Sequence, residues 1–116
     1  MIEVSALTMD DIRQVIEDPR LEGLTFYGVK VSRDGSPVAL GAVFGTAEFD
    51  WLVFERLGDV PPVTIVRQAK KLIERHEGNK PLVSDCDMAI KGADKLLKHL
   101  NFRPFEGSYW IHGGSQ

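Results

Sequence analysis

Phe26-Tyr27-Gly28-Val29-Lys30-Val31-Ser32 is followed by Arg33-Asp34-Gly35-Ser36 and then by Pro37-Val38-Ala39-Leu40-Gly41-Ala42-Val43-Phe44. Two runs rich in β-branched, aromatic and small apolar residues thus flank an Asp-Gly pair. That pair readily supplies the positive φ angles of a two-residue hairpin turn. Glu48-Phe49-Asp50-Trp51-Leu52-Val53-Phe54 reads as a third strand, so the region predicts an antiparallel meander.

Helical signals lie on both sides of the meander. Upstream, Thr8 is positioned to cap a helix, with Asp11 three residues on as a shorter stand-in for the usual Glu. Leu7 and Ile12 occupy the two positions of a hydrophobic staple. Ile12, Val15 and Ile16 then recur at helical spacing, and Pro19 marks the expected end. Downstream, Gly58-Asp59-Val60-Pro61-Pro62 breaks the strand pattern. Val63, Val66, Ala69, Leu72 and Ile73 follow on one helical face, and Gly78 is the expected stop. Arg67, Lys70, Lys71, Glu74 and Arg75 fall mostly elsewhere on that circumference and read as a solvated face. Pro81 to Asp85 reads as a short strand. Ala89, Ala93, Leu96, Leu97 and Leu100 mark a last helix, and Arg103 to His112 a closing strand or hairpin. With Ile2–Val4 as the first strand, the order is β-α-β-β-β-α-β-α-β. This predicts a mixed α/β (α+β) fold, a mostly antiparallel central sheet flanked by helices.

Composition sets the bounds. The chain has 116 residues, 43% hydrophobic and 27% charged, which suits one soluble globular domain over residues 1–116 and excludes collagen, coiled coil or disorder as the dominant state. Apolar stretches are short and interrupted, so no membrane span is expected. The first residues lack the basic region and apolar run of a secretory signal, and a lone cysteine, Cys86, fits a reducing compartment; the expected location is cytoplasmic. Fourteen Lys and Arg stand against 17 Asp and Glu, a balance of −3 that predicts no general attraction to nucleic acid.

Ala93-Asp94-Lys95-Leu96-Leu97-Lys98-His99-Leu100-Asn101-Phe102 resembles the late helix of the GNAT superfamily of acyl-CoA-dependent N-acyltransferases. In that superfamily a small residue precedes a pair of large ones and the helix leaves through Gly-Phe. Asn101 stands here for the glycine, and Asn also tolerates the left-handed conformation at a helix end. The element order extends the likeness over nearly the whole chain. A narrower resemblance, carried by Trp51-Leu52, Val83-Ser84-Asp85 and the Leu100-Asn101-Phe102 exit, is to the small GNAT-like proteins of short-tailed phages. Some of those are acetyltransferases and others internal virion or assembly proteins.

The resemblance implies acetyl-CoA as cofactor in an active protein. Its pyrophosphate would lie on the turn after the middle strand, where backbone N–H groups and a helix start make an anion site. Gly58, Val60, Val63 and Thr64 are the candidate backbone contacts. Only Gly58 keeps the glycine pattern, however. Pro61 and Pro62 lack N–H groups, and Asp59 brings negative charge. Counting back from Asn101-Phe102 puts Leu97 where the superfamily tends to have a proton-donating tyrosine, and Ile90 where an Asn often lies. Glu55, at the end of the middle strand, is the candidate general base toward a primary amine.

The remaining chemistry-bearing residues read more plainly. Asp85 and Asp87 flank Cys86 and would raise its pKa, so an inert thiol is expected. His76, His99 and His112 show no metal-ligand spacing, and His76 and His99 fall near helix C-termini, where a partly positive imidazole suits the dipole. Phe102, Phe105, Tyr109 and Trp110 form an aromatic group near the end of the chain. Most of it is expected in the core, with Tyr109 and Trp110 as candidate contacts to a protein partner. Three functions fit: a GNAT-like binding or assembly protein with a degenerate acetyl-CoA loop, a working N-acetyltransferase using Glu55, and an unrelated α+β interaction module.

Overall fold

The computed structural model describes residues 2–15, 23–76, 80–85 and 92–113. In chain order the elements are β1 (Ile2–Ala6), α1 (Met9–Val15), β2 (Thr25–Arg33), β3 (Ser36–Gly45), β4 (Asp50–Arg56), α2 (Pro62–Arg75), β5 (Leu82–Asp85), α3 (Ala93–His99), β6 (Phe102–Glu106) and β7 (Tyr109–His112). The strands form a seven-stranded sheet in the order β1-β2-β3-β4-β5-β7-β6. Every neighbouring pair is antiparallel except β4 and β5. That exception follows from connectivity, because a helical crossover through α2 returns the chain in the same direction.

The local signals act as the sequence predicts. Asp34 and Gly35 both have positive φ, 51° and 84°, closing the β2–β3 hairpin. Thr8 caps α1: its hydroxyl accepts the Asp11 N–H at 3.3 Å, while its own N–H and hydroxyl donate to the Asp11 carboxylate at 2.9 and 2.8 Å. The Thr8 backbone N–H is the main cause that holds the Asp11 carboxyl below its usual pKa. Lys30, at 3.0 Å, adds to it, and burial works the other way. Leu7 and Ile12 are both buried, as a hydrophobic staple requires. At the end of α3, Asn101 takes φ 69° and its carbonyl accepts the Gly113 N–H. The last segment is a hairpin, turned at Gly107 with φ 57°.

Two boundaries and two burial assignments differ from the sequence reading. β4 starts at Asp50, not Glu48, because the Thr46 N–H and hydroxyl both donate to the Phe49 carbonyl and hold residues 46–49 in a tight loop. Helix α2 ends at Arg75, with His76 in an extended conformation; Gly78, the expected stop, lies outside the described residues. Val63, assigned to the buried face of α2, is 60% exposed in its first turn. Gln68 is buried in the apolar stripe instead. Ile16, Pro19 and Ala89 also lie outside the described residues.

Strand alternation sorts the core onto two faces of the sheet. Val43 and Leu52 face α2 and α3, packing with Ala69, Leu72, Leu82, Leu97, Leu100, Phe102 and Trp110. Leu40, Ala42, Phe44 and Trp51 face α1 and pack with Leu7 and Ile12. Phe44 is fully buried there, and burial of a side chain of that size stabilises by roughly 2–3 kcal/mol. Val31, Val38, Ala39 and Val60 form a third cluster near the β1 side of the sheet.

Candidate functional site

β4 and β5 run together for three residue pairs, Asp50–Leu82, Trp51–Val83 and Leu52–Ser84, and then part. The buried Ser84 hydroxyl donates to the Leu52 carbonyl at 3.0 Å, at the last pair before the fork. Beyond it β4 continues to Arg56 while β5 stops at Asp85, which pairs with Tyr109 of β7. The Asp50 N–H donates to the Pro81 carbonyl on the β5 side, whereas the Leu57 N–H donates to the Val38 carbonyl on the β3 side. Alternation between those two anchors turns the Phe54 N–H and C=O toward the fork. The Phe54 side chain lies over Gly41, where a Cβ would sit 2.4 Å from the ring and force it aside.

Glu55, the last residue of β4 but one, lies on the other face of the sheet, opposite Leu40, and its side chain is exposed. It stands beside the fork, on the α1 face, as a solvated carboxylate.

The turn from β4 to α2 is held from within. The N–H groups of Leu57 and Gly58 both donate to the Val38 carbonyl, at 2.9 and 3.1 Å. Arg56 closes the loop from outside, donating through Nε to the Gly58 carbonyl at 3.2 Å and through Nη2 to the Val60 carbonyl at 3.3 Å. Val60 plugs the third apolar cluster with its fully buried side chain. Pro61 precedes the helix, Pro62 is its first residue, and no side chain caps it. The Thr64 N–H donates to the Pro61 carbonyl at 3.0 Å. Of the four candidate cofactor contacts, Gly58 and Thr64 therefore have their N–H groups engaged by the chain itself. Val60 turns its side chain inward, and Val63 projects into solvent. Asp59 lies on the surface 3.7 Å from Arg56 and 3.9 Å from Arg33.

Leu97, at the position of the superfamily's tyrosine, is buried in the α2/α3 core. Trp110 is buried in the same core, and Tyr109 is half-buried with its ring 6.0 Å from Phe49. Ile90, Cys86 and Asp87 lie outside the described residues. Arg67, Lys70, Lys71, Glu74 and Arg75 are exposed along α2. His99 ends α3 on the surface.

A second polar constellation lies at the opposite end of β4. His76, just past α2, donates through Nε2 to the Asp50 carboxylate at 2.7 Å. His112 of β7 packs edge-on against Phe102, and burial, reinforced by the positive charge His76 can carry, pushes its pKa down. Arg75 stacks over Tyr27, whose hydroxyl donates to the Leu72 carbonyl, and Lys80 donates to the Thr46 carbonyl. Nothing local in the sequence signals the Asp50–His76 pair, because its members are 26 residues apart. Among the described residues no three His, Cys, Asp or Glu side chains converge as a metal site, and no helix is long and apolar enough to cross a membrane.

No protein family's sequence profile matches the chain, and no curated protein matches it. Solved structures do. The ribosomal-protein-S18-alanine N-acetyltransferase from Escherichia coli superposes with a TM-score of 0.71 at 14% identity, covering 100% of this chain and 96% of its own. The GNAT domain of S. lividans PAT gives a TM-score of 0.55 at 11% identity over 90% of this chain and 67% of that one. A Bordetella pertussis protein assigned to the GnaT acetyltransferase family gives 0.54 at 13% identity over 90% and 75%. The fold is that of the GNAT acetyltransferases.

Proposed function

We propose that this chain is a GNAT-fold domain, spanning residues 1–116, with a degenerate acetyl-CoA loop, acting as a non-catalytic or weakly catalytic binding or assembly protein. The observation that carries this reading is the state of the backbone donors between β4 and α2. The N–H groups of Leu57 and Gly58 converge on one carbonyl, that of Val38, and the Thr64 N–H is engaged by Pro61. Pro61 and Pro62 have no N–H to give. A pyrophosphate brought to this turn would find the Gly58 and Thr64 donors already engaged, two prolines without N–H groups, and the exposed carboxylate of Asp59. The buried Leu97 supports the same reading, since it cannot protonate a departing thiolate. The resemblance to short-tailed phage proteins suggests a particle or an infected cell's cytoplasm as the setting, and a protein as the partner.

Isothermal titration with acetyl-CoA tests this. The expected result is no saturable heat up to about 1 mM ligand. Binding tighter than about 10 µM, equivalent to roughly 7 kcal/mol, would overturn it.

One observation favours a second reading, an acetyl-CoA-dependent N-acetyltransferase acting on a primary amine. The fork between β4 and β5 is present, and the Phe54 N–H faces it, where it could stabilise a developing oxyanion. Glu55 would then take the amine proton directly or through water. On this reading thioester cleavage with an amine acceptor is measurable, and Glu55→Gln lowers kcat by about 100-fold or more.

A further inference from the structure

The sheet has two edges, and they are built differently. At the β6 edge, Pro104 interrupts the run of donors, the register with β7 shifts between Pro104 and Glu106, and Arg103 and Glu106 add charge. Phe105 stands out at that irregularity, 61% exposed. These are the devices by which proteins stop a sheet from growing. The β1 edge has neither the proline nor the register shift, and its one charge is Glu3. Its five residues, Ile2-Glu3-Val4-Ser5-Ala6, pair with β2 in unbroken register and include no proline, lysine or arginine.

The phase of the open edge follows from one bond. The Leu7 N–H donates to the Gly28 carbonyl at 3.0 Å, so Leu7, Ser5 and Glu3 address β2. Ile2, Val4 and Ala6 therefore turn their N–H and C=O groups away from the sheet. Val4 is 45% exposed. Its cross-strand partner, Val31, belongs to the third apolar cluster, against which Ile2 also packs. That cluster thus runs up to the edge and stops at an uncovered valine.

We propose that this edge pairs with the same edge of a second copy, antiparallel about a two-fold axis through Val4. In this register Val4 meets Val4, Ile2 meets Ala6 and Glu3 meets Ser5, and all the outward backbone groups of β1 find partners. The neighbouring antiparallel register centred on residue 3 puts the two Glu3 carboxylates directly opposite, and the one centred on residue 5 leaves Ile2 without a partner from β1. Glu3 thus selects the register by repulsion. The apolar row of Ile2, Val4 and Ala6 becomes continuous with that of the partner. Because β6 is guarded, pairing closes after two copies and does not propagate into a fibre. The contact is small, so a dimer dissociating at roughly 10–500 µM is expected. This inference is independent of whether coenzyme A binds.

Sedimentation velocity across about 5 µM to 1 mM protein tests it. A concentration-dependent monomer–dimer equilibrium is expected. Val4→Pro removes an outward N–H and none that pairs with β2, and proline is tolerable on an edge strand, so it should weaken dimerisation at least about tenfold while leaving the melting temperature nearly unchanged. Val4→Lys should do the same through charge, should the proline disturb the strand. In a Cys86→Ser background, Ile2→Cys and Ala6→Cys proteins, which keep Glu3, mixed under oxidation should cross-link to each other more readily than either does to itself. Their Cα atoms would lie about 5.5 Å apart. A monomer at every concentration, a dimer insensitive to both Val4 substitutions, or cross-linking without preference for the mixed pair would each overturn the proposal.

Discussion

The two ends of β4 carry the same kinds of residues and use them in opposite ways. At its beginning, Asp50 is mostly buried and holds His76 at 2.7 Å, tying the end of α2 to the sheet where β5 and β7 also meet. At its end, Glu55 is exposed, and Arg56 and Asp59 face each other across 3.7 Å of solvent-accessible surface. The sheet is closed at one end by chemistry that water cannot easily replace. At the other end it forks, and its charged groups remain wet. Stability should therefore reside at the Asp50 end, and any adaptable function at the Glu55 end.

The sharpest break comes from Asp50→Ala. It leaves the His76 ring nitrogen buried without its acceptor, which costs about 2–3 kcal/mol. Differential scanning calorimetry should show a melting temperature lower by roughly 8–12 °C. Asp50→Asn, which keeps an acceptor, should lose less than half of that. Equal losses in both variants would mean that the charge, and not the hydrogen bond, joins α2 to the sheet. Ser84→Ala acts at the fork itself. It removes one bond to the Leu52 carbonyl and should cost about 1 kcal/mol, read as a shift in urea midpoint without a change in slope.

A smaller effect should appear with pH. The folded pKa of His112 is depressed, so the unfolded chain binds that proton more readily. The contribution is fully present above the ordinary imidazole value of 6.5, and is lost as pH falls from there toward the folded value. Melting temperature should decline between about pH 7 and pH 5, and His112→Gln should flatten that decline. An unchanged slope in the variant would assign the titration to another group.

What the sequence makes legible divides along the same line. The Thr8–Asp11 cap, the Asp34–Gly35 turn and the left-handed Asn101 are short-range devices, each decided by residues within three or four positions, and the structure contains all three. Helical spacing places Ala69, Leu72, Leu97 and Leu100 in the core, where all four are buried. Val63 falls on the apolar face by periodicity, yet it stands in the first turn of α2 and is exposed. The Asp50–His76 pair, the Ser84 bond and the engagement of Leu57 and Gly58 with Val38 were hidden for one physical reason: each depends on tertiary register between distant segments. The prolines of the β4–α2 turn were legible as missing donors, but the engagement of the neighbouring donors was not.

The Glu55 end can be probed by the least disruptive change. Asp59 is 90% exposed, and its nearest cations, Arg56 and Arg33, lie 3.7 and 3.9 Å away and are themselves well exposed. Such pairs contribute about 0–0.5 kcal/mol because water already solvates both charges. Asp59→Asn should therefore leave the melting temperature within about 2 °C of the parent. The same change removes the negative charge that faces any incoming phosphate, while the Gly58 and Thr64 donors stay engaged and the prolines stay in place. If charge were the main obstacle to coenzyme A, Asp59→Asn would create measurable binding on titration. If missing donors are the obstacle, as the bonds to Val38 and Pro61 indicate, the variant should bind no better than the parent.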